Sequence, residues 1–171
     1  HSHGGLKHYH DEDMQSLSLR SDKPLDPSIF MPWLQNLVAT EGQKIMRSKI
    51  FDNATSCSSE NSVIIHAAVY DRMLAALAKA GGVLLGSEEK TTLQAAMFPG
   101  GKLSPAVTAQ SVKRVCEVAG LTRPEVTASK CLMVEESGFG KSAPFSGEKL
   151  SPVMAIYKAR DFDHAFDILK A

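Results

Sequence analysis

The sequence predicts an α/β fold, and two observations carry that prediction. Short apolar runs of strand length are interleaved with longer segments whose apolar residues recur every three or four positions. Glycine, proline and Asx residues mark the switches between the two periods. From residue 51 the predicted order is β-α-α-α-β-β-α, and residues 16–50 add a small β-α-β unit ahead of it.

Taken in order, residues 1–13 are a head rich in histidine and acid: His1, His3, His8 and His10, then Asp11, Glu12 and Asp13. The head has no apolar period, so no packed structure is expected. Leu17 and Leu19 alternate with polar residues, as in a half-buried strand. In "PSIFMPWLQNLVATEG", Ile29, Phe30, Trp33, Leu34, Leu37 and Val38 fall on a helical stripe. Asp26 is the expected N-cap, Pro27 the first helical residue and Gly42 the stop. "KIMRSKI" at 44–50 then reads as a strand.

Beyond residue 50, a small polar loop leads into the strand Ser62–His66. "AAVYDRMLAALAKAGG" reads as a helix ended by Gly81-Gly82. "SEEKTTLQAAMF" follows with Ser87 as cap. "SPAVTAQSVKRVCEVAG" is a third helix, with Pro105 in its first turn and Gly120 at its end. "ASKCLMVEE" and "KLSPVMAIYKA" are strands, and "DFDHAFDILKA" begins a helix. "GFG" at 138–140 reads as a turn. Cys116 and Cys131 are expected in the core, as free cysteines usually are.

Composition excludes several classes. The 19 basic and 19 acidic side chains cancel, so no electrostatic footprint for nucleic acid exists. No apolar run approaches the roughly 20 residues that span a bilayer, and there is no charged start with an apolar h-region. Three cysteines at irregular spacing make neither a disulfide framework nor a zinc pattern, so a reduced, cytoplasmic compartment is expected. The chain opens on His1 and its last helix has barely two turns, which suggests a longer parent protein.

Two resemblances follow from particular motifs. "DNATSCSSENSV" and "FSGEKLSPVMAIYKARDF" make residues 51–171 resemble the catalytic domain of CoA-acylating aldehyde dehydrogenases, in the branch of sulfoacetaldehyde and ethanolamine-utilisation acetaldehyde dehydrogenases. The resemblance implies Cys57 as nucleophile and Glu148 as a contact to the cofactor ribose, with Leu150 near the nicotinamide. It also implies NAD(P) and coenzyme A as cofactors and a small aldehyde as substrate. The family's nucleotide-binding domain has no counterpart motif here, so a homo-oligomer or a partner supplying that half is expected. Residues 14–50, with Asp13 before them ("DMQSLSLRSDKPLDPSIFMPWLQNLVATEGQKIMRSKI"), resemble the C-terminal domain of CobW-type metal-chaperone GTPases. That likeness implies zinc or cobalt handling through His1, His3, His8 and His10 as an alternative function.

The residues alone leave both readings open. A thiol can add to an aldehyde carbon, let hydride leave and remain as a thioester, yet Cys57 could be an inert loop residue. Glu148 could be an ordinary exposed carboxylate, and Lys149 reads as a solvated lysine. Imidazoles in the head can ligate zinc, but their spacing specifies no single tetrahedral site. His66 and His164 read as structural or exposed.

Overall fold

The computed structural model describes residues 26–55 and 59–170. Cys57, the four head histidines and the strand expected around Leu17 lie outside the described residues.

Four strands form one parallel sheet in the order β1-β4-β3-β2. They are β1 (Ser62–His66), β2 (Gly82–Leu84), β3 (Cys131–Glu135) and β4 (Val153–Ala159). Ser62 pairs with Ala155, Leu132 with Val153 and Gly82 with Cys131. The central strands β3 and β4 are buried almost throughout, as a parallel sheet covered on both faces requires.

The strand period of two then divides the core. Leu132, Val134, Val153, Ala155 and Tyr157 face one layer with Leu93, Met97, Val115 and Phe145. Cys131, Met133, Met154 and Ile156 face the other with Met46, Tyr70 and Leu77. The first layer is built by α3 (Ser87–Met97), α4 (Val112–Ala119) and the short α5 (Pro124–Thr127). The second is built by α1 (Pro27–Ile50) and α2 (Tyr70–Lys79), and α6 (Phe162–Lys170) packs on β1 and β4. The α/β class is thus as predicted. Cys116 and Cys131 are both buried, on opposite faces of the sheet.

One element of the sequence reading is overturned. Residues 44–50 are not a strand: α1 runs unbroken from Pro27 to Ile50. Asp26 does cap it, accepting the Ser28 N–H at 2.9 Å, with Pro27 in the first turn. Gly42, however, is not a stop. Val38, Gly42, Met46 and Lys49 are buried along one helical stripe. A Cβ added at Gly42 would lie 3.0 Å from that of Ala76 in α2, so the glycine serves the close approach of two helices.

Three boundaries shift as well. Gly82 starts β2 rather than closing α2. Gly86, not Ser87, caps α3, and the Glu89 carboxylate accepts the Gly86 N–H at 2.9 Å. The helix expected from Ser104 begins only at Val112, where the Ser111 side chain accepts from the Arg114 N–H. Left-handed Gly120 ends it as expected.

Candidate active site at the amino edge of the sheet

Because β1 and β4 are parallel neighbours, the segments leading into them meet at one edge. Asn61 joins the two. Its backbone carbonyl accepts the Ala155 N–H at 3.0 Å, and its side-chain Oδ1 accepts the Lys149 N–H at 3.2 Å. The flank of Cys57 is thereby tied to the segment that carries Glu148 and Leu150.

A third segment closes the arrangement. The Ala109 N–H donates to the Leu150 carbonyl at 2.8 Å, and the Ala109 carbonyl accepts from Asn53 Nδ2 at 3.3 Å. Among the described residues, five non-glycine residues have positive φ: Asp52 (48°), Asn53 (52°), Ala54 (59°), Ala109 (59°) and Leu150 (42°). All five belong to these three segments. Left-handed backbone costs roughly 1–2 kcal/mol for a residue with a Cβ, less for Asn and Asp. The Thr55 hydroxyl donates to the Asp52 carbonyl at 2.8 Å and to its Oδ2 at 2.6 Å, which helps fix that turn. Strain persists only where surrounding contacts enforce it, and it concentrates at functional sites. Here it surrounds the two segments singled out by sequence.

Glu148 is exposed at this edge, and Leu150 beside it is half-buried. The next residue corrects the sequence reading. Lys149 is not solvated but fully buried. Its ammonium donates to the Phe145 carbonyl at 2.6 Å and the Gly147 carbonyl at 2.8 Å, folding residues 145–149 into a compact turn. Burial pushes the Lys149 amine down to about 7, the positive charge of Lys49 adds to that shift, and Cys131 and Glu136 oppose it. Burial likewise pushes the Cys131 thiol up to about 12, against the pull of Lys49 and Lys149.

Sequence reasoning missed Asn61, Ala109 and Lys49. Lys49 carried a signal: it completes the stripe of Val38, Gly42 and Met46. Nothing in the residue type marks Ala109.

The other histidines take local roles. His66 accepts the Ala68 N–H at 3.1 Å, and His164 accepts the Arg160 N–H at 3.2 Å. No group of three or more His, Cys, Asp or Glu among the described residues is placed to hold a metal. No helix among them is long and apolar enough to cross a membrane. A cleft at the opposite, carboxyl edge is lined by Lys90, Glu136, Tyr157 and His164. There Lys90 bonds Glu136 and the Glu135 carbonyl, and Tyr157 bonds the Gly138 carbonyl, so those groups satisfy the protein itself.

Comparison with known proteins bears on the chain as a whole. No family model matches the chain. The chain is 54% identical over 124 residues to an acylating sulfoacetaldehyde dehydrogenase of Cupriavidus necator, covering 72% of this chain and 25% of that protein. It is 38% identical over 123 residues to the bifunctional aldehyde-alcohol dehydrogenase AdhE of Escherichia coli K12, covering 72% of this chain and 14% of that protein. The fold superposes on an acetylating aldehyde dehydrogenase of Geobacillus thermoglucosidasius with a TM-score of 0.74 and 31% identity, over 78% of this chain and 29% of that one. A likeness over 78% of the chain is longer than residues 51–171 alone supply, so it takes in part of α1. The chain spans about a quarter of the length of the sulfoacetaldehyde dehydrogenase it matches, and over that stretch it is homologous to the acylating aldehyde dehydrogenases.

Proposed function

We propose that residues 51–171 are the thioester-forming part of an NAD(P)- and CoA-dependent acylating aldehyde dehydrogenase, with Cys57 as nucleophile. The observation that carries this reading is the strained convergence of the flank of Cys57 and the Glu148 segment on Asn61 and Ala109. In the proposed reaction the Cys57 thiolate adds to the aldehyde carbon. Loss of hydride leaves an acyl group on sulfur, and the thiol of coenzyme A displaces it as a thioester. The nicotinamide cofactor would supply the hydride acceptor.

The residues present fit part of that cofactor. Glu148 is an exposed carboxylate held beside Asn61 by its buried neighbour Lys149, suited to accept hydrogen bonds from a ribose. Leu150 offers an apolar surface next to it. No phosphate-cradling glycine motif accompanies them in this sequence. We therefore assign the rest of the nicotinamide site to a part outside these residues or to a partner chain. Sulfoacetaldehyde is the first aldehyde to assay, given the 54% identity to an enzyme of that name. A cytoplasmic location belongs to the same proposal.

Alkylation tests the nucleophile. Iodoacetamide near neutral pH, followed by mass mapping, should label Cys57 at least about tenfold faster than Cys116 or Cys131. Both of those thiols are buried, and burial raises their affinity for the proton. Equal labelling of all three in the folded chain would remove the case for Cys57.

A further inference from the structure

We propose that the cleft between the carboxyl ends of α1 and α2 binds the phosphorylated adenosine end of coenzyme A. The choice of ligand rests on the reaction proposed above; the character of the cleft does not.

Helix α1 meets α2 at Gly42, where an added Cβ would lie 3.0 Å from that of Ala76. Beyond that contact the two helix ends and the entry to β3 enclose a cleft of about 610 Å³, within the range of small-molecule sites. Buried Met46 and half-buried Ile50 give it an apolar floor, and Phe51, 73% exposed, stands at its rim.

Three cations line it, Arg47, Lys79 and Lys130, and no carboxylate does. Lys44, Lys90, Arg114 and Arg123 each pair with a glutamate, whereas these three make no ion pair among the described residues. Part of their charge answers the two helix ends, where Arg47 and Lys79 lie in last turns. A helix carboxyl end presents about half a negative charge. Two ends therefore offset about one of the three positive charges, and about two remain unbalanced. Lys130 is held in place besides. Its N–H donates to the Gly81 carbonyl at 2.8 Å, and its stem lies across Gly81, where an added Cβ would come within 3.0 Å of the Lys130 Cδ. Gly81 has φ of 110°, so glycine serves both the backbone and the stem there.

Unbalanced cations beside an exposed aromatic ring suit one ligand chemistry: phosphates attached to a base that stacks. Coenzyme A carries a 3′-phosphate and a diphosphate on adenosine. It is also the cofactor of the proposed reaction that Glu148 and Leu150 leave without a contact. Its phosphates are assigned to Arg47, Lys79 and Lys130, and its adenine to the face of Phe51.

The test is titration calorimetry on the full chain, under reducing conditions, with coenzyme A, dephospho-coenzyme A, NADP and inorganic pyrophosphate. Coenzyme A should bind tightest, with dephospho-coenzyme A and pyrophosphate each weaker. Lys79→Gln, Lys130→Gln and Phe51→Ser should each weaken coenzyme A about tenfold, the usual scale for losing one charged or stacked contact. Lys113→Gln, in α4 on the other layer, should leave binding unchanged. All four side chains are exposed, so the variants keep the core. No binding of coenzyme A at millimolar concentration overturns the proposal, as does a loss in Lys113→Gln equal to that in Lys130→Gln. Pyrophosphate as tight as coenzyme A, with Phe51→Ser unchanged, removes the adenosine, and NADP tighter than coenzyme A removes the choice of coenzyme. Alkylation of Cys57 is read separately. Fast labelling of Cys57 without coenzyme binding overturns the cleft alone, and coenzyme binding with slow labelling overturns the nucleophile reading alone.

Discussion

The Ala109 N–H donates to the Leu150 carbonyl at 2.8 Å while both residues hold left-handed backbone, with φ of 59° and 42°. Neither residue is glycine, and nothing in their type asks for that conformation. The bond joins the loop ahead of α4 to the segment ahead of β4, and Asn53 joins the same alanine from the Cys57 side. The strain is therefore shared by three segments, none of which can relax without releasing the other two.

Ala109→Gly should relieve one of these strained positions. Removing the Cβ takes away the steric cost of left-handed backbone but frees the unfolded chain. The expected net is a gain of up to about 1 kcal/mol, read as a higher urea midpoint with an unchanged slope. Ala109→Val should lose more than about 1 kcal/mol, because a branched side chain is least suited to positive φ. A glycine variant less stable than the parent would show that Ala109 is held by packing rather than strained.

Gly42 gives a second test, one that separates a helix stop from a helix contact. At a left-handed stop any side chain would be costly. In the observed helix, Gly42→Ala gains about 1 kcal/mol of helix propensity and meets the Ala76 Cβ at 3.0 Å, so the two effects nearly cancel. Gly42→Leu drives α1 off α2 and should cost about 1–3 kcal/mol in urea unfolding. A leucine variant as stable as the parent would mean that α1 and α2 are not packed as described.

Arg123 offers a third. Its guanidinium donates to both Glu89 oxygens, at 2.8 and 2.9 Å, and to the Leu84 carbonyl at 3.1 Å. Glu89 also accepts the Gly86 N–H that caps α3. Lysine cannot reproduce that fork, so Arg123→Lys should lower stability by about 1 kcal/mol. The Arg123 hydrogen bonds hold the Glu89 carboxyl below its ordinary range. That contribution is present at neutral pH and fades only as pH falls below 4.5 and acid protonates Glu89, so parent and variant should converge in stronger acid. A constant gap down to low pH would assign the loss to packing.

The contrast between the two halves of the chain explains what the sequence could reveal. Strands β3 and β4 were legible because their apolar runs have no helical period, and α2 because its stripe is regular. Residues 44–50 were misread because Ile45, Met46 and Ile50 resemble a short strand when taken apart from Val38 and Gly42. Only the longer window shows the helical spacing, and it ends in a lysine where an apolar residue is expected. Cys57 and Glu148 are proposed from motif alone. Asn61 and Ala109 act through long-range contacts and backbone angles, which no local pattern encodes.

The buried lysine and cysteine make stability depend on pH in a definite direction. Lys149 has its affinity for the proton lowered from 10.5 to about 7. Between those values the unfolded chain carries a proton there that the folded chain does not, so stability rises with pH. Lys49, also lowered by burial, acts in the same sense. Cys131 acts oppositely. Its thiol is raised from 9.0 to about 12, so above about pH 9 the unfolded chain loses a proton that the folded chain keeps, and stability falls. Tyr70 and Tyr157, both raised by burial, add to the fall above about pH 10. The expected profile climbs from about pH 7 to about pH 9, with a slope of up to about 1.4 kcal/mol per pH unit for each proton concerned, then flattens and falls above about pH 10. Urea midpoints at intervals across this range measure it. Lys149→Met should remove much of the climb, whatever its effect on absolute stability, because methionine has no proton to exchange. A parent profile that is flat or falling between pH 7 and 9 would mean that Lys149 keeps its proton in the folded chain, held by the Phe145 and Gly147 carbonyls. A methionine variant as steep as the parent would assign the slope to Lys49 instead.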